Sequence, residues 1–443
     1  MAHRTMRGAY VGALMLAVCC ASAQAADTSK PEHWVASWGT AQMVPEGANV
    51  LPAAQWRDAT LRQLVRLSIG GERLRVRISN AYGTQPLLID GASVGLALRA
   101  GAADLKPGSI RALTFSGRAR VMVPAGAEYY SDPVELSVPR AADLAISLHF
   151  QSEPARQTGH PGARGTNFSA TGNLVMSPQL EGAQTFTRWY QIADVEVAAA
   201  PDTRAIVAIG DSITDGYGVV NDTNTRWTDL LSARLAKNGL ANVGVVNAGI
   251  GGGRMLRDGL GTNLAARFDR DVLARSGVTH AIVLVGVNDV GGLHRAGEDT
   301  PAAREAMMDD LKDSYRQLAE RAHAHGICLI GGTMSPYTGS DYYRPGPENE
   351  KDRQAFNAWI RSTPLFDGVA DFDAALRDPA QPDRMLKAVD NDGLHPSAAG
   401  YQVMADTVPI QSLGACNASP KPQAQAQVHS HPRPRAAKRQ HQK

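Results

Sequence analysis

The sequence predicts an α/β chain in two parts, an all-β sandwich of jelly-roll type followed by a domain built on a parallel sheet. Three observations carry this. Across residues 34–198 apolar side chains recur in short alternating runs punctuated by Gly and Pro. From Arg204 onward short, wholly apolar runs alternate with helical stretches, the pattern of a parallel sheet covered on both faces. The length of 443 residues favours more than one domain.

In the first part, runs 61–67 and 74–78 flank Gly70-Gly71, which reads as a hairpin. Further strand-like runs fall at 86–98, 111–123, 134–138, 144–150 and 189–197, and no helical period is present. The sandwich is therefore expected over 34–198.

In the second part, expected over 204–413, candidate strands are 205–209, 243–247, 280–285, 327–331 and a short one near Val369. Helical stretches read at 226–238, 267–276, 302–325, 348–362 and 396–407. Open parallel sheets bind ligands beyond the carboxyl ends of their strands. Ser212, Gly252 and Asn288 each follow a strand, so all three are expected at that edge.

The termini read differently from the body. Residues 1–25 have the form of an export signal: Arg4 and Arg7, an apolar stretch too short to span a bilayer, then Ala23-Gln24-Ala25 as a cleavage site. The expected mature chain starts at Ala26, is exported to the periplasm or beyond, and carries no stable membrane insertion. Residues 417–443 are basic and poor in apolar side chains, the composition of a disordered tail. His429, His431 and His441 belong to that composition. Net charge is +2, with +2 in the leader and +6 in the tail, which leaves −6 on the body. A mildly acidic body argues against nucleic acid as a partner. Loss of Cys19 and Cys20 with the leader leaves Cys328 and Cys416. Export would permit a disulfide, but the Ile327-Cys328-Leu329-Ile330 pattern reads Cys328 as a small buried hydrophobe.

The chemistry concentrates in four segments. Ile209-Gly210-Asp211-Ser212-Ile213-Thr214-Asp215-Gly216 places a serine at the mouth of a strand, between glycines that permit a sharp turn. Asp392-Gly393-Leu394-His395 can present a carboxylate and an imidazole from one turn. Serine hydrolysis needs a nucleophile, a base, a group that orients the base, and oxyanion donors. Ser212, His395 and Asp392 fit the first three roles. Asn247-Ala248-Gly249-Ile250-Gly251-Gly252-Gly253 and Gly286-Val287-Asn288-Asp289 offer a backbone N–H and a side-chain amide for the fourth. Ser212 itself does not sit in a Gly-x-Ser-x-Gly elbow. Asp211 and Asp289 read as residues that hold their loops. Tyr217 and Arg254 lie beside the motifs, and His160 reads as a loop residue bordering the site. His280, His323 and His325 show no metal-ligand spacing.

In order and content these segments resemble the four blocks of the SGNH, or GDSL-like, hydrolase superfamily, over about 204–413. The resemblance implies a three-layer α/β/α hydrolase domain without a cofactor or metal, acting on esters or thioesters through an acyl-enzyme. It gives Ser212, Asp392 and His395 as the catalytic set and Ser212, Gly252 and Asn288 as the oxyanion hole. Ile213 departs conservatively from the usual leucine. Export beside a β-sandwich is similar to esterases that deacetylate plant polysaccharides such as xylan, so acetyl groups on extracellular carbohydrate are the expected substrate. A lipase, lysophospholipase or arylesterase is the rival within catalysis. A non-catalytic glycan-binding protein is the rival outside it, and would need Trp34, Trp38, Trp56, Tyr129 or Tyr130 as an exposed aromatic platform.

Overall fold

The computed structural model describes residues 32–414 and residue 416. The predicted leader and basic tail lie outside the described residues. The longer strands of the first half are β1 (Trp34–Gly39), β2 (Ala59–Arg66), β3 (Gly71–Ser79), β4 (Gly91–Leu96), β5 (Asp143–Phe150), β6 (Asn167–Thr171) and β7 (Ile192–Ala198). They form two antiparallel sheets. One runs β1–β7–β3, with Glu128–Tyr130 and Val134–Val138 added on β3. The other runs β6–β2–β5–β4, with Gln184–Phe186 beside β6 and Arg111–Ala112 beside β4. Strand alternation sends Leu61 and Val65 of β2 and Leu74, Val76 and Ile78 of β3 into one buried cluster.

Gly70-Gly71 does not close a hairpin. β2 and β3 lie in different sheets, and the chain crosses between them where the Ser37 hydroxyl donates to Ile69 O at 2.7 Å. Each strand has an apolar face, and placement across the sandwich buries both faces against one core. The run 189–197 also breaks in two. Gln191, at φ 60°, separates Trp189–Tyr190 from β7.

The second half comprises β8 (Arg204–Gly210), α1 (Ser212–Asp215), α2 (Trp227–Lys237), β9 (Val243–Gly249), α3 (Leu264–Phe268), β10 (Val278–Leu284) and α4 (Val287–Arg295). Then follow α5 (Pro301–Ala324), β11 (Cys328–Gly332), α6 (Pro347–Ser362), β12 (Gly368–Ala370), α7 (Phe372–Leu376) and α8 (Ala398–Thr407). The strands make a parallel sheet in the order β9–β8–β10–β11–β12. The helix expected at 267–276 instead starts earlier as α3 and widens into a π-type turn at Asp269–Leu273. α1, α4 and α7 are too short to show a period in sequence.

Alternate strand residues feed two cores. Ile206 and Ala208 of β8 pack with Trp227, Leu231 and Leu235 of α2 and with Tyr401 and Met404 of α8. Val207 and Ile209 join a second cluster with Leu311, Tyr315 and Leu318 of α5, and that cluster is continuous with the sandwich core. Polar ties reinforce the junction. Ala36 N donates to Ser276 O at 3.0 Å, and Val245 N donates to the Ser68 hydroxyl at 2.9 Å. Buried Arg275 donates to Asp194 Oδ2 and to Thr40 O, both at 2.8 Å. The described residues from His33 onward belong to one compact unit.

Cys328 is buried, as its pattern implies, but it is not a free thiol. It is disulfide-bonded to Cys416, 88 residues later. Hydropathy reports burial and cannot report the return of the chain. Here the Arg204 guanidinium donates to Leu413 O at 2.7 Å and brings the segment after α8 back to the amino ends of the strands. No described helix is long and apolar enough to cross a membrane.

Candidate active site

Gly210 ends β8 and Asp211 caps the single turn of α1, where its carboxylate accepts from Ile213 N at 3.0 Å. That cap fixes the backbone on either side of Ser212. Asp211 is wholly buried, and burial pushes its carboxyl up to about 7. After β9, Ile250 N donates to Gly210 O at 3.1 Å, so the glycine-rich loop lies against the serine turn. Asp289 accepts from Met255 N at 2.9 Å and Leu256 N at 3.1 Å and holds the far side of that loop.

Ser212 Oγ lies 2.8 Å from His395 Nε2. His395 Nδ1 lies 2.9 Å from Asp392 Oδ2 and 3.1 Å from Oδ1. Asp392 Oδ1 also accepts from His395 N at 2.8 Å and Leu394 N at 3.1 Å. One turn thus supplies both acid and base, and it depends on Gly393. This residue sits at φ 76°, and an added Cβ would lie 2.2 Å from the Gly339 backbone. Burial disfavours charge on Asp392, but the N–H groups and ring of His395 outweigh it and hold the carboxyl below its usual range. Burial lowers His395 below its ordinary 6.5, which the Asp392 carboxylate only partly offsets. This shift favours the neutral imidazole, the form able to accept a proton.

Asn288 is the second residue of α4. Its Nδ2 donates to Gly253 O at 2.8 Å, and its Oδ1 accepts from the Tyr343 hydroxyl at 2.6 Å. The amide is thereby fixed in one orientation with a second N–H uncommitted to either bond. Through these bonds Ser212, the loop carrying Gly252, and Asn288 form one connected edge.

Two neighbours, Tyr343 and Arg164, were not legible as site residues, whereas Tyr217 and His160 were placed beside the site by sequence. Tyr343 lies 55 residues beyond Asn288. Tyr217 stacks on His395, with centroids 4.1 Å apart, and is 45% exposed. The Arg164 guanidinium lies 5.8 Å from the Tyr217 ring. His160 is not a loop residue. It lies on the short strand Gly159–His160, buried, with Nδ1 2.9 Å from Ala41 O and Nε2 2.9 Å from Asp215 Oδ1. The sandwich thus touches the last residue of the helix that begins at Ser212. Burial would raise Asp215, but His160, Arg164 and Arg226 outweigh it and keep it below the carboxylate range. Gly162 allows this approach, since a Cβ there would lie 2.1 Å from Asp215 Oδ2. His280 and His323 lie elsewhere, His280 wholly buried in β10 and His323 bonded to Asp367. His325 bonds Arg321 O at the end of α5.

A serine bonded to a histidine that an aspartate orients, at the carboxyl end of a parallel sheet, defines a serine hydrolase. Residues 208–403 match the GDSL-like Lipase/Acylhydrolase family. The chain thus carries a GDSL-like acylhydrolase domain and is a carboxylic ester hydrolase of that type. Similar solved structures include a putative lipolytic protein of the G-D-S-L family from Desulfitobacterium hafniense, at 24% identity, covering 46% of this chain and 97% of that one with a TM-score of 0.34. A GDSL-like lipase from Bacteroides thetaiotaomicron is 18% identical, covering 48% and 90%, with a TM-score of 0.37. An acetylxylan esterase from Geobacillus stearothermophilus is 21% identical, covering 48% and 94%, with a TM-score of 0.33. No curated protein matches the chain.

Proposed function

We propose that the chain is an exported serine esterase that removes short acyl groups, acetyl above all, from extracellular carbohydrate. The observation that carries the catalytic part is the unbroken line of bonds from Ser212 Oγ through His395 to Asp392. His395 takes the hydroxyl proton as Ser212 attacks the ester carbonyl. The N–H groups of Ser212 and Gly252 and the amide of Asn288 hold the oxyanion. His395 then returns the proton to the leaving alcohol, and water releases the acid by the same route. The domain is read as three layers, its parallel sheet between two helical faces.

Two observations support the finer reading. Charged and aromatic groups border the base, with Tyr217 on His395 and Arg164 beside Tyr217, which suits a polar alcohol part. The Cys328–Cys416 disulfide supports export, since such bonds persist in oxidising compartments. A lipid-ester reading has one observation in its favour. Leu260 is 65% exposed and approaches to 3.3 Å of where a Gly252 Cβ would stand. The glycan-binding rival is weakened, since Trp38 and Trp56 are buried and Trp34 and Tyr130 are half-buried beneath Arg75, which leaves Tyr129 as the one exposed ring of the expected platform.

Hydrolysis of p-nitrophenyl acetate, butyrate, octanoate and palmitate, with acetylated xylan alongside, tests the reading against the Ser212→Ala variant. Short-chain activity with acetate release from xylan, both lost in the variant, supports it. Preference for octanoate or longer transfers the assignment to lipid esters. Equal inactivity of both proteins on every ester rules out the catalytic reading.

A further inference from the structure

A cavity of about 280 Å³ lies between the sandwich and the hydrolase domain. Leu64, Arg66 and Trp189 line it from one side, and Asp215, Arg226 and Asn247 from the other. Ser212, Asp392 and His395 are not among its lining residues, so it is a space distinct from the ester-cleaving centre.

The backbone around it is unusual. Eight non-glycine residues among those described have positive φ. Four of them line this cavity: Ala141 at 58°, Arg164 at 47°, Asp222 at 68° and Asn224 at 51°. Asp222 and Asn224 take this conformation readily, but at Ala141 and Arg164 it costs about 1–2 kcal/mol each, and such strain gathers at functional sites.

The chemistry of the walls narrows the ligand. Four arginines and four aspartates line the space, with no lysine or glutamate. Arg66 pairs with Asp143 at 3.3 Å, Arg226 with Asp229 at 3.4 Å, and Arg164 with Asp215 at 3.7 Å. A charged ligand would meet as many like charges as opposite ones. An apolar ligand would strip water from these groups and return no hydrogen bonds. Guanidinium groups only donate and carboxylates only accept, whereas a hydroxyl does both. The volume corresponds to about nine water molecules, enough for a sugar ring with its hydroxyls.

We propose that this cavity binds a neutral, hydroxyl-rich ligand, a mono- or disaccharide, at the junction of sandwich and hydrolase domain. The proposal stands apart from the ester-substrate reading, because it concerns binding and not cleavage. Arg164 connects the two places, since it lines the cavity and lies beside the Tyr217 ring that covers His395.

The test is calorimetric titration of the full-length Ser212→Ala protein with xylose, xylobiose, glucose and cellobiose, with inorganic phosphate and acetate as charged controls. Two further substitutions are added in that background. Ala233→Trp fills the cavity from an exposed position on α2. Asn224→Gly removes a lining side chain where glycine accepts the φ angle. The expected result is saturable binding of at least one neutral sugar, weakened tenfold or more by each substitution, with Asn224→Gly unfolding no earlier than its parent. The proposal is overturned if no neutral sugar saturates, if both substitutions leave sugar binding unchanged, or if phosphate or acetate binds more tightly than every sugar.

Discussion

The Tyr343 hydroxyl donates to Asn288 Oδ1 at 2.6 Å, and the other end of the same amide donates to Gly253 O at 2.8 Å. A side-chain amide held at both ends cannot rotate, so its remaining N–H keeps one direction before substrate arrives. Oxyanion donors act through such preorganisation, and loss of one costs about a hundredfold or more in rate.

Tyr343→Phe removes only the orienting bond. The expected outcome is a kcat lower by about tenfold to a hundredfold with KM little changed, less than loss of the donor itself. Steady-state kinetics on p-nitrophenyl acetate measure it. Unchanged kcat would remove Tyr343 from the positioning of Asn288.

The His395 imidazole is held below its ordinary 6.5, first by burial and further by the Arg164 cation. The base works when neutral, so kcat/KM should rise with pH along an acid limb centred below the ordinary imidazole value. Arg164→Ala removes a charge that opposes protonation, so His395 should titrate higher and the acid limb should move to higher pH. pH profiles of kcat/KM for the two proteins decide the matter. An unmoved or downward-shifted limb would contradict the arrangement.

Gly393 lies between acid and base at φ 76° with its Cα against the Gly339 backbone. Gly393→Ala should destabilise the fold by at least about 1–2 kcal/mol from the backbone angle alone. It should also displace Asp392 from His395 and lower kcat. Thermal melts and kinetics on the same preparation measure both, and native-like values in each would show that the turn tolerates a side chain.

The Cys328–Cys416 bond closes a loop of 88 residues. Cys328→Ser is expected to cost about 2–4 kcal/mol of stability, with kcat preserved because the bond ties the segment after α8 to the amino end of β11. Denaturant unfolding with and without reductant should show the wild type falling to the variant's level. A midpoint unaffected by reductant would exclude a stabilising role.

Local signals were legible in the sequence, and long-range ones were not. Ser212 and the Asp392–His395 turn are written in contiguous motifs, and the strands of the parallel sheet are runs of apolar residues. Tyr343 carries no motif and acquires its role only when the segment before α6 folds over α4. His160 reads as loop because its strand is two residues long. Gly70-Gly71 suggested a hairpin, since a turn signal cannot tell whether the next strand pairs beside the last or crosses to face it. The cavity has no sequence signature, being lined from two halves of the chain.

One consequence follows from the way β1 and Ser68 meet β9. Gly244 has no room for a Cβ, which would lie 2.6 Å from Ala36 O, and Val245 N is bonded to the Ser68 hydroxyl. β9 is one of the two edge strands of the parallel sheet, and an uncovered edge strand is a template for aggregation. The sandwich therefore acts as an intramolecular guard. A fragment cut at Arg204 would present β9 uncovered and is expected to self-associate more readily than the whole chain.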